Sequence, residues 1–222
     1  MVETEFAGAV KSNRSILSPL ERRFSEWAVP RLPAWLETYH LTMMTVIWCA
    51  LILLGGYLAR NDIRWLWLVS ASVAGQYITD HLDGKLGKFR KTGLVRWGYF
   101  MDHLLDYFFL SAILASYLFV LPGPDRTGMF PVFVVFGGYL VLTYLATAST
   151  GRFRIAAVGL GPTEFRIAII VINVLLIRYG TRTMAAALPW VAGGAFVLLV
   201  WMAYRTHREV WDLDMARARN QR

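Results

Sequence analysis

The feature that most constrains this chain is a series of apolar stretches, each long enough or nearly long enough to cross a bilayer. A spanning helix needs roughly 20 mainly apolar residues, and backbone polar groups inside lipid must be paired within the helix itself. Hydrophobic residues make up 56% of the chain, and its mean hydropathy is +0.44. We therefore predict an all-α integral membrane protein with six transmembrane helices. The predicted spans are about 42–59, 63–78, 98–121, 129–147, 162–179 and 184–204.

The residues before the first span contain no hydrophobic signal-peptide core. Within them, the stretch Ser18–Val29 is typical of an amphipathic helix, with Leu20, Phe24 and Trp27 along one face. Such a helix favours the membrane surface, and the alternative is an ordinary helix packed on the membrane domain. We predict an N-terminal segment over residues 1–37, a six-helix membrane domain over 38–204, and a polar C-terminal tail over 205–222.

The net charge of +8 comes from basic residues in the tails and between the spans. The N-terminal segment, the 85–96 connection, the 152–166 region and the 205–222 tail carry most of them and fall on one side in the predicted topology. Basic loops favour the cytoplasmic side and attract anionic lipid. We therefore expect both termini to face the cytoplasm in an inner or cytoplasmic-type membrane, and we expect no nucleic-acid partner.

Four aspartates flank the 85–96 connection: Asp80, Asp83, Asp102 and Asp106. Carboxylates near membrane depth are costly and are rarely there without a function. Residues three or four apart share one helix face, so each pair lies on one face, and two connected helices can bring all four together. Converging carboxylates require cations, and oxygen ligands favour Mg²⁺ or Mn²⁺, with Ca²⁺ as a further candidate. Two such ions could hold a phosphate undergoing displacement.

The spacing of these residues resembles a known family signature. The pattern D-x2-D-G followed by G-x3-D-x3-D is similar to that of the CDP-alcohol phosphotransferases, also called CDP-alcohol phosphatidyltransferases. The chain matches it at Asp80, Asp83, Gly84, Gly98, Asp102 and Asp106. It departs from the family pattern where Gly87 and Lys88 replace an Ala-Arg pair.

The resemblance implies an enzyme of phospholipid synthesis that moves a substituted phosphate from a CDP-alcohol to a second alcohol and releases CMP. Two subclasses stay open: CDP-diacylglycerol with a polar alcohol as acceptor, or CDP-choline or CDP-ethanolamine with diacylglycerol. Asp80, Asp83 and Asp102 are the expected metal ligands. Asp106 is the candidate general base and a further candidate ligand, and the sequence leaves both roles open. A homodimer is implied by the resemblance alone.

Residues around the aspartates are candidates for binding the nucleotide. They are Gly84, Lys88, Arg90, Thr92 and Gly98. Glycine lets a ligand approach the backbone, although close helix packing is the alternative explanation for Gly84 and Gly98. Lys88 keeps the positive charge of the family arginine without its planar fork, which Arg90 could supply from nearby.

A second charged cluster precedes and begins the fifth predicted span. It contains Arg152, Arg154, Glu164 and Arg166. Arginines beside an embedded site suit an anionic acceptor or a lipid phosphate. In the alternative interpretation, Arg152 and Arg154 are cytoplasmic anchors, and Glu164 pairs with Arg166.

Two other functions remain as alternatives. Intramembrane carboxylates also occur in ion-coupled transporters, although the chain shows no internal repeat and its acids cluster around one connection. The second alternative is a family member that binds nucleotide but is inactive because of Gly87 and Lys88.

Overall fold

The fold is helical throughout the part of the chain that a computed structural model describes, apart from one short strand pair. The described residues are 10–11, 18–92, 94–150, 152–153 and 162–220. The helices are α1 (Ser18–Ala28), α2 (Thr38–Leu58), α3 (Leu66–Arg90), α4 (Val95–Val120), α5 (Met129–Thr150), α6 (Pro162–Tyr179) and α7 (Arg182–Asn220). Short 3₁₀ turns precede α3 and α5 and follow α1. Strand β1 (Val10–Lys11) pairs in parallel with β2 (Arg152–Phe153).

Four of these helices, counted over the described residues, are long and apolar enough to cross a membrane: α2, α4, α5 with its preceding turn, and α7. The prediction of an all-helical membrane protein is therefore confirmed. The second and fifth predicted spans correspond to α3 and α6, which are not among these four helices. Helix α3 contains many polar as well as charged residues, and α6 carries Glu164, Arg166 and Arg178. The count of six spans stays a prediction.

A tightly packed core holds α2, α3, α4 and α6 together. Helix α2 packs on α3 and α4, and α6 packs on α3. Ile52, Val73 and Ile113 are fully buried in this core. At Gly56 an added Cβ would come within 2.5 Å of the Ser116 side chain and 2.6 Å of its Cα. Glycine at this position therefore allows α2 and α4 to approach closely.

Buried polar side chains in this core satisfy one another. The Tyr117 hydroxyl of α4 donates a hydrogen bond of 2.8 Å to the Asn173 side chain of α6. The Asn173 amide in turn donates to the Ser70 hydroxyl of α3 at 3.0 Å. All three side chains are buried. Since an unpaired polar group is costly in such surroundings, this network fixes three helices relative to one another.

The turn between α2 and α3 begins the next helix with a side-chain cap. Asp62 accepts a hydrogen bond of 3.0 Å from the Arg64 backbone N–H and others from the Arg64 guanidinium. These contacts hold the pKa of Asp62 below its usual value.

Helix α3 is longer than the sequence predicted. We expected it to end near the first aspartate pair, but it continues to Arg90 and ends at Lys91, whose φ of 58° is left-handed. Most of the predicted basic connection is therefore helix, and a short link leads to α4 at Val95. The first aspartate pair thus lies within a continuous helix.

Helix α1 occupies the stretch that the sequence predicted to be helical. Its Ser25 and Ala28 are buried, and Ala28 packs in a small apolar cluster with Leu82 and Leu86 of α3. Leu20 is 64% exposed and Trp27 59% exposed on this helix. An apolar side that the described residues leave largely exposed agrees with the predicted membrane-surface position, which stays a prediction.

Candidate functional site

The first aspartate pair lies on α3 and is held by neighbouring helices. Asp83 is only 6% exposed. It accepts a hydrogen bond of 2.9 Å from the Thr42 hydroxyl of α2 and another from the backbone N–H of Gly84. These two donors fix the orientation of the Asp83 carboxylate. Thr42 was not predicted, because a threonine in an apolar run gives no sequence signal of its partner 41 residues away.

The second pair lies in the first turns of α4, where Asp102 and Asp106 are partly buried. The negative charges of Asp80 and Asp102 both act on Asp83, so carboxylates of α3 and α4 lie near one another. Asp106 interacts electrostatically with the Tyr144 hydroxyl of α5. Three of the four aspartates are thus linked electrostatically, and the fourth lies on the same helix one turn beyond Asp102.

A buried arginine from α6 pairs with one of these carboxylates. Arg166 is 6% exposed, and its guanidinium lies 2.9 Å from the Asp80 carboxylate. It also donates to the Gln76 side-chain oxygen at 2.9 Å. The rings of Tyr77 and Phe109 lie 5.7 Å from the guanidinium carbon. The guanidinium is therefore fixed on several sides, and its charge partly offsets the excess of negative charge.

Both motif glycines border open space. A Cβ added at Gly84 or at Gly98 would meet no atom of the described residues within 4 Å. At Gly56, by contrast, the added Cβ would clash with Ser116. Packing against the described residues therefore does not explain either motif glycine. Each leaves the backbone beside the carboxylates accessible to a ligand.

The basic residues predicted to bind nucleotide have different surroundings. Lys88 is exposed. Arg90 instead donates to backbone carbonyls of residues 32–36, including Pro33 at 2.7 Å and Ala34 at 3.1 Å. The Thr92 hydroxyl donates to Glu37 at 3.3 Å. Arg90 and Thr92 therefore attach the α1–α2 link to α3, whereas Lys88 has no such contact among the described residues.

The predicted acceptor residues are described only in part. The backbone of Arg152 belongs to β2, and Arg154 lies outside the described residues. Glu164 and Arg166 are in the first turns of α6. The structure pairs Arg166 with Asp80, so this residue belongs to the carboxylate site through a direct contact.

Glu21 of α1 is a second residue that sequence reasoning did not assign to the site. Its carboxylate accepts hydrogen bonds from Tyr77 of α3 at 2.7 Å and from Thr163 of α6 at 3.0 Å. Glu21 lies in the predicted amphipathic helix but outside the apolar face of Leu20, Phe24 and Trp27, where an acid is ordinary. Only the folded chain brings together residues 142 positions apart.

A metal site is not preformed in the described residues, where no three His, Cys, Asp or Glu side chains converge closely enough to hold an ion. The chemistry of the donors nevertheless fits a hard divalent cation, since the candidate ligands are carboxylates. Asp83 is buried and repelled by two other carboxylates. A cation would relieve that repulsion.

Comparison with known protein families identifies a family for this chain. The model of the CDP-alcohol phosphatidyltransferase family matches residues 31–203. The match includes all four aspartates, both motif glycines and Arg166, and it covers α2 through most of α7.

Proposed function

The chain belongs to the CDP-alcohol phosphatidyltransferase family, whose members transfer a phosphate-linked group from a CDP-alcohol, and from that premise we propose the reaction at this site. The chain moves a substituted phosphate from a CDP-alcohol to the hydroxyl of a second alcohol, and CMP leaves. The observation that carries this proposal is the arrangement around Asp83, which is buried, repelled by Asp80 and Asp102, and followed by the open backbone at Gly84. An anionic ligand with its cations would fill such a site.

Asp80, Asp83, Asp102 and Asp106 are the residues that would hold two divalent ions, Mg²⁺ or Mn²⁺, with Ca²⁺ as a third candidate. When bound, such ions neutralise phosphate charge and polarise the phosphorus under attack. Thr42 fixes the Asp83 carboxylate through a hydrogen bond of 2.9 Å. Two carboxylates of the set are thus oriented by the protein, since Arg166 holds Asp80.

Asp106 accepts the proton of the attacking hydroxyl in this proposal. It lies one turn beyond Asp102, at the end of the aspartate series on α4. The electrostatic interaction with Tyr144 of α5 provides a polar neighbour for the acceptor alcohol. A positioned general base contributes typically about 10²–10⁴-fold to a rate. Asp106 thus carries the largest predicted effect on turnover.

The nucleotide would lie over Gly84 and Gly98, where no atom of the described residues occupies the space of a Cβ. Lys88 is exposed nearby on α3 and would contact its phosphates. Arg90 is held by backbone carbonyls, so we assign phosphate binding to Lys88 first. The residues proposed to bind a charged acceptor are Arg152, Arg154, Glu164 and Arg166.

In the membrane, we propose that α3 and α6 complete six spans and that α1 lies on the surface. Arg166 of α6 pairs with Asp80 of α3. The proposed ligand and its cations would neutralise the remaining negative charge of the carboxylates. The basic segments support a cytoplasmic position for both termini and for the site. A second copy of the chain completes the proposed homodimer, as the family resemblance implies.

The test is CMP release by the purified protein with Mg²⁺ or Mn²⁺. One set of reactions contains CDP-diacylglycerol with pooled polar alcohols, and the other contains CDP-choline or CDP-ethanolamine with diacylglycerol. We expect CMP in one set, its loss with chelator, and its loss in Asp83→Asn. The Asp125→Asn variant, changed in the turn before α5, is the matched control and should keep full activity.

Other outcomes assign the alternatives. Nucleotide binding without CMP release would identify an inactive member of the family, with Gly87 and Lys88 as the first residues to restore to Ala and Arg. Ion-driven uptake into vesicles, with no CMP release from any donor, would overturn the proposal in favour of a transporter.

A further inference from the structure

Helix α1 contacts both α3 and α6 through one side chain, that of Glu21. One oxygen of Glu21 accepts hydrogen bonds from the Tyr77 hydroxyl of α3 at 2.7 Å and from the Thr163 hydroxyl of α6 at 3.0 Å. Thr163 is buried, and Tyr77 and Glu21 are half-buried. Glu21 therefore joins three helices at one point.

That point adjoins the Arg166–Asp80 pair. Tyr77 lies three residues before Asp80 on α3, and its ring faces the Arg166 guanidinium at 5.7 Å. Thr163 lies three residues before Arg166 on α6, so both are on one face of that helix. One of the two hydroxyls bound by Glu21 is thus on the helix of Asp80, and the other is on the helix of Arg166.

Further contacts attach α1 to the same part of α3. The Lys85 ammonium donates to the Ser25 hydroxyl at 2.7 Å. The backbone carbonyl of Glu21 lies 3.0 Å from a ring nitrogen of His81. These contacts reach only α3, whereas the Glu21 carboxylate also reaches α6.

We propose that Glu21 is a positioning residue for the carboxylate site. By holding Tyr77 and Thr163 together, it sets the separation of α3 and α6 and hence the place of Arg166 against Asp80. This inference rests on the proposed transferase function for its effect on turnover. The link between α1, α3 and α6 can be measured without turnover.

The experiment compares Glu21→Ala, Glu21→Gln and the control Glu26→Ala. Glu26 lies on the same helix, and its side chain is 62% exposed in a surface pair with Arg22. Glutamine keeps a carbonyl oxygen that can accept from both hydroxyls. We expect Glu21→Ala to lower kcat at least about tenfold, since small displacements of positioned groups are costly to rate. Glu21→Gln should keep most of the wild-type kcat, and Glu26→Ala should have the same kcat as the wild type.

Comparing kcat with Tm separates a positioning role of Glu21 from a simple stabilisation of the fold. All rates are taken well below each variant's Tm, where the protein is folded. A residue that only stabilises the fold would lower Tm in Glu21→Ala and leave kcat unchanged, and that result would overturn the proposal. Tyr77→Phe combined with Glu21→Ala should be no slower than Glu21→Ala alone, because the two changes remove the same contact.

Hydrogen exchange gives a readout that does not depend on catalysis. In Glu21→Ala we expect faster amide exchange in residues 162–168 of α6 as well as in α1, and no such change in Glu26→Ala. Exchange that rises in α1 alone would overturn the link to α6. If the wild type releases no CMP from any donor, the proposed function fails, and the exchange result still decides whether Glu21 joins α1 to α6.

Discussion

Helices α3, α4 and α6 each pass through two regions with opposite chemistry. In the apolar region, space is filled to contact, as at Gly56 against Ser116, and the polar groups of Tyr117 and Asn173 satisfy one another. In the site region, space is open beside Gly84, and buried Asp83 is repelled by neighbouring carboxylates. In the apolar region, side chains of the chain itself fill the space and pair the polar groups. In the site region, the open space and the unbalanced negative charge fit the proposed ligand and its cations. Substitutions in the apolar region should therefore lower stability, and substitutions in the site region should lower activity.

The largest effect is expected at Asp106 in the site region. Asp106→Asn keeps the shape of the side chain but cannot accept a proton at neutral pH. Loss of a general base should lower kcat by about 10²–10⁴-fold, with Tm little changed because asparagine has the same size and shape as aspartate. CMP release and thermal unfolding of the same preparations measure both.

Asp125→Asn serves as the control for this variant, since it changes the same residue type in the turn before α5. Turnover of Asp106→Asn close to that of the control would remove Asp106 from the mechanism. A large fall in Tm would mean that the two regions are less distinct than the contacts indicate.

A large effect on stability is expected at Asn173 in the apolar region. Asn173→Ala removes both of its hydrogen bonds and leaves the Tyr117 hydroxyl buried without its acceptor. Each buried polar group left unpaired costs about 1–3 kcal/mol. Thermal or denaturant unfolding in detergent should show this loss, while kcat of the folded fraction stays near the wild-type value.

Asn61→Ala, in the exposed turn after α2, is the matched control and should change stability by no more than about 0.5 kcal/mol. If kcat of Asn173→Ala fell as far as that of Asp106→Asn, the network would be acting on the site rather than on the fold alone.

Gly56→Ala tests close packing in the apolar region. The new methyl group would lie 2.6 Å from the Ser116 Cα, so α2 and α4 must move apart. Overpacking of this kind costs typically about 1–3 kcal/mol. Gly137→Ala is the control, because nothing lies within 4 Å of its Cβ position in α5. It should gain up to about 1 kcal/mol, as alanine restricts the unfolded chain. Equal Tm values for the two variants would contradict the packing argument.

The sequence predicted the helices and the positions of the aspartates better than it predicted the contacts around them. Apolar runs predicted α2, α4, α5 and α7, and the spacing of the aspartates placed them on α3 and α4, because both signals are local and periodic. The length of α3 was wrong because its basic residues were interpreted as a connection, whereas Arg90 is held by carbonyls of the α1–α2 link.

The partners of the carboxylates could not be predicted, because they come from distant parts of the chain. Thr42 lies 41 residues from Asp83, and Arg166 lies 86 residues from Asp80. A buried charge such as Arg166 must have a partner, so the sequence could indicate that one exists but not which residue it is. Glu21 gave no signal beyond its place on a polar helix face.

The smallest effect is expected for Gly84→Ala, and it distinguishes the two kinds of glycine. Its Cβ would meet no atom within 4 Å in the part of the chain that the structure describes, so the packing cost expected at Gly56 does not arise there. The helix should be slightly more stable, by up to about 1 kcal/mol, while the methyl group enters the space proposed for the nucleotide. We expect a several-fold rise in KM for the CDP-alcohol with kcat little changed, measured by CMP release at varied donor concentration. An unchanged KM would place the nucleotide elsewhere. A lower Tm would mean that Gly84 packs against a second copy of the chain, and the open space would then belong to a subunit interface instead of the donor.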